Sequence, residues 1–241
     1  MNAVTQPRER PILFQGDMVR AILAGAKRQT RRVFKQATGP SLSVGMDDDA
    51  PGVAELSWLW GDGPGHDVHE TIARIPCPYG RPGDLLWVRE SWAPDPVDDG
   101  SWNYTSWAGC RDGKIAGVPE RFRNPLHVIY AADWKGQPHR WTPSIHMPRW
   151  ASRMLLEITE VRVERLGDIS EEDAKAEGII PHIRGGWHWR EHNPHDLDDW
   201  DQLGFKTARE AYRALWESIN GYGSWNLNPW VWAVSFEVIK P

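Results

Sequence analysis

The sequence predicts an α+β fold: a small, mostly antiparallel β-barrel with two or three appended helices and long loop insertions. Three observations predict it. Short apolar strands lie at both ends of the chain, Arg10–Phe14 and Trp230–Val238, and must meet if the sheet is to close. Between them run helical stretches with caps at their starts. One long strand, Met154–Leu166, switches its apolar positions from Met154, Leu156 and Ile158 to Val161 and Val163, as a β-bulge or a barrel corner requires. No internal repeat is present. Residues 1–9 read as a disordered arm and 10–241 as a single domain with insertions near 36–78, 93–125 and 181–204.

Taken in order, Asp17 caps a helix whose apolar positions are Met18, Val19, Ile22 and Leu23, and Gly25 stops it. If Arg28–Val33 is extended, Arg28, Thr30 and Arg32 share one face and Gln29, Arg31 and Val33 the other. Residues 36–78 are polar and punctuated by Gly and Pro, so little regular structure is expected beyond one short strand near Leu56–Trp60. A turn at Tyr79–Asp84 launches the strand Leu85–Trp92, and His127–Ala131 is a further strand. Pro143 and Pro148 make Trp141–Arg153 irregular. Ser170–Asp173 resembles a capping box with Asp for Glu, and Gly178 ends its short helix. Thr207–Glu210 caps a second helix, with Ala208, Ala211, Tyr212, Leu215, Trp216 and Ile219 on one face and Asn220-Gly221 at its end.

Composition narrows the function classes. Lys plus Arg is 28 and Asp plus Glu 33, a net charge of −5, which excludes a chain that is basic overall. The two cysteines, Cys77 and Cys110, build no disulfide framework and fit a reducing compartment. No apolar run spans a bilayer and the polar start lacks a signal-peptide core, so a cytoplasmic protein without a membrane partner is expected. The 16 tryptophans, against 5 Tyr and 5 Phe, serve packing or, at a few positions, base stacking.

Charge is reversed locally. Arg20, Lys27, Arg28, Arg31, Arg32 and Lys35 fall in one stretch with no acidic residue. This is either a solvated face or an anion site at a helix-to-strand junction. Glu177 stands just before Gly178, at the negative end of a helix dipole, where an isolated carboxylate is unfavourable. Either it is an ordinary surface group, or a nearby cation offsets that cost, or burial suits it to proton chemistry. Glu90 reads as a structural partner for an arginine at the barrel mouth. His146, Arg149, Trp150 and Arg153 form either a packed connector or a contact in which Trp150 stacks on a base and an arginine meets phosphate. The loop histidines His182, His188, His192 and His195 form no compact ligand motif, so neither a metal nor a cofactor is expected.

The Gly25-Ala-Lys27-Arg-Gln-Thr30-Arg-Arg32 segment after a strand and helix resembles the start of the ASCH domain, a β-barrel related to the RNA-binding PUA domains. Gly25, Lys27, Thr30 and Arg32 match its signature, and Gly83-Asp84, Glu177 and the C-terminal strand fit it too. The chain resembles the longer type found in phages and prophages. The resemblance implies a PUA-like barrel and, by analogy with compact members, an amidohydrolase that removes the acyl group of an N(4)-acylated cytidine-type nucleoside or nucleotide. Lys27, Thr30 and Glu177 would then be catalytic: Thr30 the nucleophile, Lys27 its base, and Glu177 the group that orients Lys27 or passes a proton to the leaving amine. Arg32 would face the oxyanion. Substrate contacts are expected from Arg28, Arg32, Glu90, His146, Arg149, Trp150 and Arg153. The alternatives are a PUA-like module, or a ribonuclease, that recognises RNA or modified nucleic acid, and a phage assembly factor. A closed pocket with Lys27 and Thr30 at its floor favours the enzyme, and an open basic groove with surface tryptophans the reader. Lys27 is expected to lie outside the core, so its replacement should leave stability nearly unchanged.

Overall fold

A computed structural model describes residues 6–37, 42–60, 68–95, 118, 120–136, 140–190 and 203–239. The expected arm at 1–9 falls largely outside these residues, as does most of the expected 93–125 insertion. The described chain is a mixed α+β structure with mostly antiparallel sheets and three helices, and its described strands form no closed barrel. It divides into two compact units, each assembled from separated stretches: 1–8, 21–84 and 157–237 in the first; 9–20, 85–156 and 238–241 in the second.

In the first unit, strand β2 (Gln29–Val33) pairs antiparallel with β12 (Trp230–Ile239), setting Thr30 opposite Val234 and Arg32 opposite Trp232. Val231, Trp232, Ala233 and Val234 are all buried. A strand enclosed on both faces gives up the clean alternation of a half-exposed one. Strand β9 (Leu155–Arg165) lies on the other side of β12, and its first two residues belong to the second unit. Its buried positions switch parity between Ile158 and Val161, as its sequence predicts. Phe34 and Trp232 close this core, with ring centroids 4.6 Å apart.

The 36–78 stretch differs from expectation. It carries an antiparallel three-stranded sheet of β3 (Leu42–Met46), β4 (Val53–Trp60) and β5 (Val68–Pro76), with a register shift at Leu56/Ser57. Leu42, Val44, Ala54 and Leu56 are buried in alternation with more exposed neighbours. The register shift at Leu56/Ser57 and the Gly- and Pro-containing stretches between the strands weaken the two-residue period along this stretch of the sequence.

Two helices of the first unit position the site. Helix α2 (Glu171–Ala176) is capped by Ser170, whose side chain accepts the Asp173 N–H at 3.0 Å. Helix α3 (Ala208–Asn220) is capped by Thr207, which accepts the Glu210 N–H at 3.1 Å. Ala208, Ala211, Tyr212, Leu215 and Trp216 are its buried face. The two helices are tied together because Glu171 accepts the Ala208 N–H at 2.9 Å. Part of the 181–204 stretch is a small hairpin, β10 (Ile180–Pro181) with β11 (Trp187–His188).

In the second unit, β1 (Glu9–Leu13) runs parallel to β6 (Leu85–Arg89). Helix α1 (Gly16–Leu23) begins here, and its residues from Ala21 onward belong to the first unit. Strands β7 (Trp92–Pro94) and β8 (Val128–Tyr130) pair antiparallel. Trp92, Val128, Tyr130, Met147 and Ala151 form its buried cluster, and Trp150 packs against it. Among the described residues no helix is long and apolar enough to cross a membrane.

Candidate functional site

The site grows from two chain reversals that glycines make possible. Helix α1 stops at Gly25, whose φ of 73° is left-handed and costs glycine nothing. The N–H groups of Ala26 and Lys27 then both donate to the Ala21 carbonyl, at 2.9 and 3.0 Å, and fold the chain inward. At the end of α2, the Glu177 N–H donates to the Asp173 carbonyl at 2.9 Å, and Gly178 takes a φ of 97°. A Cβ on Gly178 would meet the Lys27 Cβ at 3.1 Å and the Ala21 Cβ at 3.2 Å. Gly178 therefore serves both as a helix stop and as the gap through which the two segments meet. They do so as an antiparallel β-bridge between Lys27 and Glu177, reinforced by the Arg28 N–H on the Ala176 carbonyl at 2.7 Å.

The bridge brings two opposite charges out of water. Lys27 Nζ donates to Glu177 Oε2 at 2.6 Å and to the Glu177 carbonyl at 2.9 Å. Lys27 is 1 % exposed and Glu177 4 %. Burial draws the Lys27 pKa below its ordinary value; Glu177 works against that, and Arg32 and Arg31 add to it. The result is an ammonium group that gives up its proton more readily than a surface lysine.

Glu177 is held from its other side as well. Arg31 Nη1 donates to Glu177 Oε1 at 3.2 Å and to Gln29 Oε1 at 2.5 Å. Its Nη2 donates to Asp173 at 3.0 Å and its Nε to Glu164 at 2.8 Å. Arg162 donates to both oxygens of Asp173, at 3.2 and 3.1 Å. Burial disfavours the Asp173 carboxylate, but Arg31 and Arg162 outweigh it and hold its pKa down. Lys27, Arg31 and Arg162 thus face Glu177, Asp173 and Glu164, and Arg162 also donates to Glu160 at 2.8 Å, so the buried charges are paired, as burial demands. The Arg31 guanidinium lies 6.0 Å from the Tyr212 ring centroid. Burial, followed by the charge of Glu177, keeps the Tyr212 phenol protonated well above its ordinary range.

Thr30 is 3 % exposed, so a hydroxyl is present in the same buried strand. Strand alternation sets Thr30 and Arg32 on the face opposite Gln29 and Arg31, as the sequence parity predicts. Arg32 is half-buried and Arg28 is exposed. The basic stretch at 20–35 is accordingly divided. Lys27 and Arg31 are sequestered by carboxylates. Arg20 is tied to Asp17 and donates to the Ala132 carbonyl at 2.7 Å, whereas Arg28 and Lys35 reach solvent.

The remaining predicted contacts belong to the second unit. Both Glu90 oxygens accept from Arg153, at 2.9 Å each, as the arginine-partner reading of Glu90 expects. Arg153 also binds Asp133 and lies 4.0 Å over the Tyr130 ring. His146 is exposed at the end of a single 3-10 turn, and Arg149 is exposed and paired with Glu9 at 2.7 Å. Trp150 packs edge-on to Trp92, 5.7 Å between ring centroids.

Among the described residues, no group of three His, Cys, Asp or Glu side chains is arranged to hold a metal ion. His182 and His188 are buried, and each accepts a backbone N–H at Nδ1, from Arg184 at 3.3 Å and Arg190 at 3.0 Å. His192 and His195 lie outside the described residues.

Sequence reasoning did not single out Gln29, Glu164, Asp173 or Tyr212, nor Arg31 apart from its charge. Two signals were available: Gln29 and Arg31 share strand parity with each other, and Asp173 precedes Glu177 by one helical turn. No protein-family profile matches the chain, and no curated protein or solved structure matches it either.

Proposed function

We propose that the chain is a hydrolase of the exocyclic amide of an acylated cytidine-type nucleoside or nucleotide, with Thr30 as nucleophile and Lys27 and Glu177 as its proton-handling pair. The observation that carries the reading is the buried Lys27–Glu177 contact, 2.6 Å long, in the same unit as a buried threonine hydroxyl. Taking a lysine and a glutamate out of water costs more than a surface pair returns, so a fold that retains them gains something other than stability. A lysine whose pKa is drawn down by burial is suited to work as a base.

In this reading the neutral amine of Lys27 removes the Thr30 hydroxyl proton as the oxygen attacks the acyl carbonyl. The tetrahedral oxyanion is stabilised by Arg32. On collapse the C–N bond breaks, and the proton on Lys27 passes to the departing exocyclic nitrogen, leaving cytidine and an acyl ester on Thr30. Lys27 then takes a proton from a water that attacks the ester carbonyl and returns it to the Thr30 oxygen as the acyl C–O bond breaks, which releases the carboxylic acid and restores the threonine. Glu177 keeps the Lys27 side chain oriented throughout. Arg28 and Arg32 are the substrate contacts of this unit.

The test is turnover of a panel of N(4)-acylated cytidines, followed by chromatographic release of cytidine, beside a binding assay with labelled RNA. Release of cytidine supports the hydrolase. RNA binding without any release supports the non-catalytic, PUA-like reader instead.

A further inference from the structure

Arg31 makes more directed contacts than any other side chain in the site, and the three carboxylates it touches come from two elements. Asp173 and Glu177 stand four residues apart at α2, so they share one side of that helix. Glu164 comes from β9. One guanidinium on β2 reaches all three, through Nη2, Nη1 and Nε respectively. Every nitrogen of the group is engaged, and the side chain is buried. A planar fork can grip separate oxygens at once, whereas an ammonium is a single point charge. The Glu177 carboxylate is accordingly shared, with Oε1 to Arg31 and Oε2 to Lys27. With Oε1 fixed, Oε2 is presented to Lys27 in one orientation.

We propose that Arg31 is a positioning residue of this site: it clamps α2 to β2 so that Glu177 meets Lys27. The proposal rests on the reading of Lys27 as the base, which the test below separates from it. The charged groups facing Lys27 are Glu177 from the end of α2 and Arg31 and Arg32 from β2. Those facing Arg31 are Asp173 and Glu177, Glu164 from β9, and the phenol of Tyr212 from α3. The sign follows from the charges. A positive group beside an ammonium makes proton release easier, so Arg31 lowers the pH at which Lys27 becomes neutral. A neutral replacement therefore moves that midpoint upward, while lysine keeps the charge and loses the fork.

The experiment uses the full chain labelled with ¹⁵N-lysine. The Nζ resonance of Lys27, assigned by its disappearance in Lys27→Met, is titrated in wild type, Arg31→Gln and Arg31→Lys. Arg31→Gln should raise the midpoint. Arg31→Lys should leave the midpoint near its wild-type position but speed solvent exchange of the Nζ protons about tenfold or more, because the clamp is gone. In parallel, on an N(4)-acylated cytidine, Arg31→Gln should move the limb at which kcat rises with pH upward by the same amount. Arg31→Lys should lower kcat with little change in KM. An unmoved midpoint in Arg31→Gln overturns the proposal, as does wild-type exchange in Arg31→Lys. If Arg31→Gln does not fold, the exchange rate in Arg31→Lys decides alone. If the wild type releases no cytidine, the hydrolase reading fails while the two NMR results still decide the role of Arg31.

Discussion

Lys27 and Glu177 are separated by 150 residues in the chain and by 2.6 Å between Nζ and Oε2. The contact is possible because a helix end and a strand entry approach closely at Gly178. It also overturns one expectation. Lys27, read as a stem outside the core, is among the most deeply buried side chains of the molecule.

Replacing Lys27 should therefore cost stability as well as activity. Breaking one partner from a buried pair costs about 3–5 kcal/mol, and here the loss should fall toward the lower end because Arg31 stays on Glu177. Lys27→Met is expected to lose roughly that much in urea denaturation. Lys27→Met combined with Glu177→Leu should lose less than Lys27→Met alone, since no carboxylate is then left buried beside a missing cation. The loss should also depend on pH. The folded pKa of Lys27 lies below the unfolded value of about 10.4, so above the folded value the unfolded chain binds more protons. Wild type should gain stability over Lys27→Met as pH rises through that window, and the gap should be constant below it. Unfolding curves of both proteins across alkaline pH check the slope.

Gly178→Ala should separate the pair without touching either charge. The φ of 97° strains any residue with a Cβ, by about 1–2 kcal/mol, and the new methyl meets Lys27 and Ala21 at little more than 3 Å. A drop in thermal midpoint together with a fall in turnover is expected. Gly25→Ala offers a contrast: its φ is also left-handed, but a Cβ there meets nothing within 4 Å. It should lose stability to strain and keep more of the activity.

The division of the basic stretch predicts a shallow salt dependence for RNA binding through residues 20–35. Lys27 and Arg31 are committed to buried carboxylates, and Arg20 to Asp17. Arg28 and Lys35 are exposed and can reach phosphate, and Arg32 is half-buried. At roughly 0.7 counterions per phosphate on single strands, three contacts give a log–log slope of about −2 at most. A filter-binding titration across salt concentrations measures it, and a slope near −4 would show that the RNA lies on other residues.

The parts of this fold that were legible in the sequence are those set by local chemistry. Ser170 and Thr207 cap their helices because a hydroxyl three residues before a free N–H can reach nothing better. The buried face of α3 follows from its 3.6-residue period, and the parity switch of β9 from its 2-residue period. The parity of Thr30 against Arg31 was legible for the same reason. What was hidden depends on distant partners. The 42–76 sheet alternates weakly and is broken by a register shift, so its strands resemble loop. Barrel closure was inferred from apolar strands at both chain ends, but strand β1 pairs parallel with β6, and no closed barrel forms among the described residues. The network on Arg31 was invisible because the two elements that supply its carboxylates are more than 130 residues away.

The most direct test of the central claim is cytidine release from an N(4)-acylated cytidine by wild type, Lys27→Ala, Thr30→Ala and Thr30→Ser, each checked for folding by circular dichroism. The hydrolase reading predicts turnover in wild type, a loss of at least about 10²–10⁴-fold in Lys27→Ala and Thr30→Ala, and partial activity in Thr30→Ser, which keeps the hydroxyl. Near-wild-type turnover in both folded alanine variants, or none in wild type, would contradict it.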